Sequence, residues 1–223
     1  MSNGLFARLA AAAGAVWPAY TRHEFVLALA RGDLPEAAFR RYLVQDYLFL
    51  LHFARAWGLA VYKSETLGEM RRAHSMVAAT LDVEIGLHVD FCRGWGLSEA
   101  AMAAETEAPA TIAYTRFVLD RGVAGDRLDL EVSLAPCIIG YAVIGAERMA
   151  DPGTQLDGNR YREWLEMYAG DDYQNLAREA KAALDDQFAR RGGEGRVPAL
   201  AALFTTATRL EADFWQMGLD AAR

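Results

Sequence analysis

The sequence predicts an all-α protein, a compact bundle of about seven or eight helices in a single domain over residues 1–223. Three observations point there. Apolar residues recur at intervals of three and four through most of the chain, the period of an amphipathic helix. No segment alternates apolar and polar residues at the period of two that a half-buried strand needs. Gly and Pro fall between the periodic segments, where they end and start helices. Hydrophobic residues make up 53% of 223 residues, enough for a large core without metal or disulfide staples.

The elements follow in order. Gly32-Asp33-Leu34-Pro35 reads as a turn, with Pro35 suited to a first helical turn. Phe39, Tyr42, Leu43, Asp46, Phe49, Leu50 and Phe53 then hold helical spacing, and the pattern runs to about Lys63. A second helix covers about Leu67 to Arg93, stopped by Gly94 and Gly96. Pro109 opens a helix ending at Gly122. Asp126 to Met149 is the next, and Pro136 inside it removes one backbone hydrogen bond and predicts a kink. Short and long helices follow over Asn159–Tyr168, Asp172–Arg191 and Val197–Ala222.

The net charge of −7, with no Lys/Arg cluster, argues against a nucleic-acid binder. Two cysteines 45 positions apart, Cys92 and Cys137, form no disulfide framework or CxxC site and suit a reducing compartment. Met1 to Trp17 lacks a basic region followed by an uninterrupted apolar core, so no leader is expected. No run of about 18 uncharged apolar residues is found, so no membrane span is expected, and the predicted location is the cytoplasm.

Several residues could carry chemistry. Cys137 follows Pro136 on an apolar helix, with Tyr141 one turn on. A free Cys there often serves as a small buried hydrophobe; as a nucleophile it needs a depressed thiol pKa. Asp46 interrupts an apolar face and must be paired or hydrogen-bonded, in a structural ion pair or against a ligand's amino group. Glu211 lies among Phe204, Phe214 and Trp215 at helical spacing. It reads as a surface Glu or as a buried acid whose pKa is raised. Glu84 and His88, four apart, suit either an ion pair joining helices or a pair of metal ligands. All four histidines lie in the first 90 residues, and a helical di-metal site draws ligands from both halves of a chain, so no metal is expected. Tyr47, Tyr114, Tyr141, Tyr168 and Tyr173 suit a core or the walls around a flat heteroaromatic ring.

Taken together and in order, Gln45-Asp46-Tyr47 with Phe49, Glu84-x-x-x-His88, Tyr114, Leu134-Ala-Pro-Cys137 with Tyr141, Tyr168-Ala-Gly-Asp171 and Glu211-x-x-Phe-Trp215 resemble the TenA/thiaminase II family end to end. The resemblance implies a haem-oxygenase-like helical fold and a hydrolase of thiamin salvage, an aminopyrimidine aminohydrolase of the cysteine branch. Such an enzyme turns 4-amino-5-aminomethyl-2-methylpyrimidine into the hydroxymethylpyrimidine and ammonia, and many relatives also cleave thiamin. It implies Cys137 as nucleophile and Glu211 as acid/base at a ring nitrogen. Asp46 would hold the amino group and adjacent nitrogen, Phe49 would stack, and Tyr114, Tyr141 and Tyr168 would line the pocket. Phe49 stands where relatives often have Tyr, and Ile138 and Ile139 where some have larger aromatics, which bears on substrate preference. The implied partners are a small pyrimidine and further copies of the chain in a homotetramer, with no cofactor, nucleic acid or membrane. The rival readings are a metal or quinone-type oxidase on the same helical fold, and a non-enzymatic regulatory protein.

Overall fold

The computed structural model describes residues 4–223, and among them every regular element is helical. Met1–Asn3, the first positions of the segment read above as carrying no leader, lie outside the described residues. The chain divides into two compact units, one formed by residues up to Pro35 with Glu131–Gln216, the other by Glu36–Leu130 with Met217–Arg223.

The first unit opens with three helices ahead of the expected starting point: α1 (Leu5–Ala12), α2 (Val16–Thr21) and α3 (Glu24–Arg31). They are only six to eight residues long, too short for a clear periodic signal. The cap of α3 is an uncommon one, His23, whose Nδ1 accepts from the Phe25 N–H at 3.2 Å. Gly32 closes α3 at φ +80°, the left-handed conformation that favours glycine.

The second unit is built on α4 (Glu36–Tyr62), a 27-residue helix. Beside it run α5 (Leu67–Ala78), a π turn over Ala79–Glu84 and α6 (Ile85–Arg93), which together form the single helix predicted over 67–93. Thr66 and Glu69 cap α5 reciprocally: the Glu69 N–H donates to Thr66 Oγ1 at 3.2 Å and the Glu65 N–H to Glu69 Oε2 at 2.8 Å. A short α7 (Glu99–Ala103), capped by Ser98, was not expected. The next helix, α8 (Pro109–Ala124), starts at Pro109 as predicted but runs through Gly122. That glycine gives room rather than a stop, since a Cβ on it would lie 3.0 Å from Leu130 and 3.2 Å from Leu59. Gln45, fully buried on α4, accepts from the Ala108 N–H and Thr111 Oγ1, both at 2.7 Å, and donates to the Thr106 carbonyl at 3.0 Å. One side chain thus fixes the start of α8.

The helix expected over 126–149 is α9 (Arg127–Ala135), a π turn over Pro136–Gly140 and α10 (Tyr141–Ala150). The chain meets the missing N–H of Pro136 by widening one turn. Tyr20 donates its hydroxyl to the Pro136 carbonyl at 3.1 Å. The run Arg127–Ala150, though interrupted by charged residues, is long and apolar enough to cross a membrane by length and composition. However, 83% of its most apolar window is buried inside the protein, as in a core helix.

After α10 the expected helix start at Asn159 moves to Arg162, giving α11 (Arg162–Ala169). Asn159 is instead a loop latch. Its side chain donates to the Leu29 carbonyl at 3.0 Å and the Gln155 carbonyl at 2.8 Å, and accepts from the Tyr161 N–H at 2.8 Å. Tyr161 adds a bond to the Leu34 carbonyl at 2.6 Å. The helices α10 and α11 approach so closely that a Cβ on Gly145 would meet the Tyr168 backbone at 2.5 Å. Two further helices, α12 (Asp171–Arg191) and α13 (Val197–Asp220), complete the order near their expected bounds.

Candidate functional site

In the first unit the candidates gather around aromatic rings. Cys137 lies in the π turn and is half-buried, while its neighbours Pro136, Ile138 and Ile139 are buried. Tyr141 follows at the start of α10, and its ring packs on Tyr168 of α11 at 4.8 Å between centroids. Trp164 lies 4.6 Å from Tyr168 and 5.9 Å from Tyr141. Trp215, fully buried on α13, stacks on Phe25 at 5.0 Å and on Tyr20 at 6.2 Å, and its ring sits 5.2 Å from Tyr141. Glu211, one turn before Trp215, is 2% exposed, so its carboxyl is among the core side chains of α13 and the surface-Glu reading is excluded. Gln174 of α12 donates to the carbonyls of Ala142 and Tyr168, both at 2.8 Å, and ties α12 to α10 and the end of α11. This cluster can hold a flat ring by stacking and offers a thiol and a buried carboxyl.

The second thiol differs. Cys92 is fully buried, and desolvation pushes it up to about 11, with Arg40 opposing. Of the two cysteines, Cys137 is the one solvent reaches.

In the second unit the rings of Phe49 and Tyr114, tilted by 31°, pack at 5.0 Å between centroids, both buried. Three residues earlier on α4, Asp46 is 5% exposed and takes the partner its burial demands: Oδ2 lies 2.7 Å from His88 Nε2. The other ring nitrogen of His88 faces the Glu84 backbone carbonyl at 2.9 Å. The sequence reading paired Glu84 with His88 through side chains. The hydrogen bonds instead run from the His88 ring to a carboxylate on α4 and to a carbonyl in the π turn. Burial works against a charged His88 ring, but the bond and charge of Asp46, with Glu84 adding, outweigh it and raise its pKa above the ordinary value. Burial also lifts the Glu84 carboxyl to about 7, the positive His88 drawing it down and Asp46 adding to the rise. Tyr47, by contrast, donates its hydroxyl to Glu99 at 3.3 Å.

Within the units, then, Tyr141 with Tyr168 and Phe49 with Tyr114 are brought into ring contact, and Asp46 is joined to His88. Sequence reasoning missed Tyr20 and Trp164 as neighbours of the first group and His88 as the partner of Asp46. For the last, the sequence signalled only that a carboxylate on the apolar face of α4 needs a donor, not which residue supplies it. Among the described residues no group of three His, Cys, Asp or Glu side chains is arranged to hold a metal ion.

The profile of the TENA/THI-4/PQQC family matches residues 11–221. An uncharacterized protein of Haemophilus influenzae is 40% identical over 209 residues, covering 92% of this chain and 94% of the relative. An aminopyrimidine aminohydrolase of Halalkalibacterium halodurans is 33% identical over 202 residues, covering 91% and 89%. Among solved structures, a protein of Silicibacter sp. TM1040 described as a TenA family transcription regulator superposes with a TM-score of 0.91 at 46% identity, covering 96% of both chains. The TenA homologue of P. horikoshii superposes at 0.88 with 25% identity, covering 98% and 99%. With the match running through both units and the all-helical fold shared, the chain belongs to the TENA/THI-4/PQQC family.

Proposed function

We propose that the chain is a hydrolase of thiamin salvage, an aminopyrimidine aminohydrolase that converts 4-amino-5-aminomethyl-2-methylpyrimidine to the hydroxymethylpyrimidine and ammonia, with thiamin cleavage as a second activity. The observation that carries this reading is Cys137, a partly buried thiol in a π turn, four residues before Tyr141, whose ring packs on Tyr168. Relatives named as aminopyrimidine aminohydrolases support it.

In the proposed reaction the Cys137 thiolate adds to the ring carbon beside the substituted one, while Glu211 gives a proton to a ring nitrogen. The electron pair gained by the ring then expels the amine from the exocyclic methylene as ammonia. Water adds to the methylene that remains, and loss of the thiolate restores the aromatic ring. Glu211, buried among Phe204, Phe214 and Trp215, works where water is scarce, which strengthens a proton transfer to a neutral ring. Asp46 takes the amino group and the adjacent nitrogen, Phe49 stacks on the ring, and Tyr114, Tyr141 and Tyr168 wall it. The chemistry calls for no organic cofactor and no metal. We further propose that residues 1–223 act as one domain, in the cytoplasm, as a homotetramer. Exposed apolar side chains such as Leu67, Leu81, Val83 and Val123 suit contact between copies.

The test is release of ammonia from the aminomethyl pyrimidine. Cys137→Ala is expected to lose at least about 100-fold in turnover, as for removal of a covalent nucleophile. Equal rates for wild type and variant overturn the cysteine mechanism. A light-scattering mass of 24.5 kDa, that of one chain, overturns the tetramer.

A further inference from the structure

The bond pattern around His88 fixes more than a contact. Its Nδ1 faces a backbone carbonyl, which can only accept, so that nitrogen carries a hydrogen. Its Nε2 faces Oδ2 of Asp46 at 2.7 Å, and a carboxylate too can only accept. A neutral imidazole has one N–H and cannot satisfy two acceptors. Opposite an ionised Asp46 the ring carries both hydrogens, an imidazolium between the Glu84 carbonyl and the Asp46 carboxylate, and both side chains of the pair are buried. Charge-assisted bonds of this length are strong and directional. With one oxygen of Asp46 held by an imidazolium, the carboxylate is fixed in orientation.

We propose that His88 is a positioning residue for Asp46, aiming that carboxylate so that its remaining lone pairs accept from the amino group of a 4-aminopyrimidine. The inference rests on the function proposed above. It gives His88 a part in ligand recognition beside the joint it makes between α6 and α4. The groups facing the ring are Asp46 from α4 and Glu84 from its own helical run, and both carboxyls favour the charged imidazole. Glutamine at this position still reaches toward Asp46 with an N–H but brings no positive charge.

Two measurements test the proposal. The first is the long-range proton–nitrogen spectrum of the histidine rings in the wild-type protein at pH 7.5. Four histidines give few signals, and His88→Gln removes the one in question. Both nitrogens of His88 should be protonated; an unprotonated ring nitrogen there overturns the proposal, whether or not any variant folds. The second is a double-mutant cycle on binding of 4-amino-5-hydroxymethyl-2-methylpyrimidine by calorimetry. His88→Gln should weaken Kd about tenfold, the loss of one charge-assisted bond. Asp46→Asn should weaken it at least as much, and adding His88→Gln to Asp46→Asn should change Kd by less than about twofold, because His88 acts through Asp46. Losses that multiply instead show that His88 acts independently of Asp46 and overturn the proposal. A wild-type protein that binds no aminopyrimidine removes the proposed function and the ligand named here with it. A wild-type protein that binds and turns over, with His88→Gln unchanged in Kd and KM, overturns the role of His88 alone.

Discussion

Gly145 offers a sharp test of the packing between α10 and α11. A Cβ built on it lies 2.5 Å from the Tyr168 carbonyl carbon, 2.7 Å from the Ala169 nitrogen and 2.7 Å from the Tyr168 oxygen. These are backbone atoms, so no side chain can swing away and the two helices must separate. Overpacking costs about 1–3 kcal/mol, and contact with backbone puts Gly145→Ala near the upper end. Alanine exceeds glycine in helix propensity by about 1 kcal/mol, which offsets part of that cost. The net loss is about 2 kcal/mol, and for a chain of this size the melting temperature should fall by about 4–8 °C. Gly58, on α4 with nothing within 4 Å of its added Cβ, is the control. There the same substitution meets only the propensity gain and should raise the melting temperature by about 2–4 °C. Both are read by thermal melts followed by circular dichroism. A Gly145→Ala protein that melts at or above the wild-type temperature refutes the close approach of the helices. Because Tyr168 is displaced with its backbone, the variant should also bind aminopyrimidine more weakly.

Three further outcomes are expected. The raised pKa of Glu84, from 4.5 to about 7 through burial, means that the folded state binds a proton the unfolded state has released between those values. Its unfavourable charge is fully present above pH 7 and disappears as pH falls, so the protein should gain stability from pH 8 to pH 6, in the same sense as the raised pKa of His88; Glu84→Gln should flatten that slope and melt higher than wild type at pH 8. In native protein a thiol reagent should modify Cys137 and spare Cys92, whose thiol is buried and held up at about 11, and mass spectrometry of peptides after alkylation distinguishes them. Gln45→Ala removes three hydrogen bonds, two of them buried, and leaves the Ala108 N–H without its acceptor, so a loss of about 3 kcal/mol, or about 6–12 °C, should appear in the melt.

Much of the fold was legible because the longest helical segments carry a clear apolar period. The segments 36–62, 67–93 and 171–191 declare themselves by period and by the Gly or Pro at their ends. The three helices before Gly32 did not, since six to eight residues give barely two turns, and His23 is an unusual cap. Asn159 misled because the same side chain that caps a helix can also bond a neighbouring chain segment, and here the Leu29 carbonyl wins. Gly122 misled because a glycine can mark close packing as well as a helix end. At the candidate site, the need of Asp46 for a partner was readable from its apolar face. The identity of that partner was not, because it sits 42 positions away and its placement depends on the packing of α6 against α4. The ring neighbours Tyr20 and Trp164 were hidden for the same reason, as contacts between distant segments leave no periodic trace.

The π turn at Pro136–Gly140 also sets the phase of everything after it. Each residue of an α-helix advances about 100° around the axis, so one residue more or fewer in that turn rotates α10 by about that angle relative to α9. The hydroxyl that Tyr20 donates to the Pro136 carbonyl holds this phase from outside the helix. Deleting one residue within 136–140 would carry Gly145 off the face that meets Tyr168 and bring a larger side chain there. The segment is thus a register device: the contacts of the second half of the helix depend on its residue count.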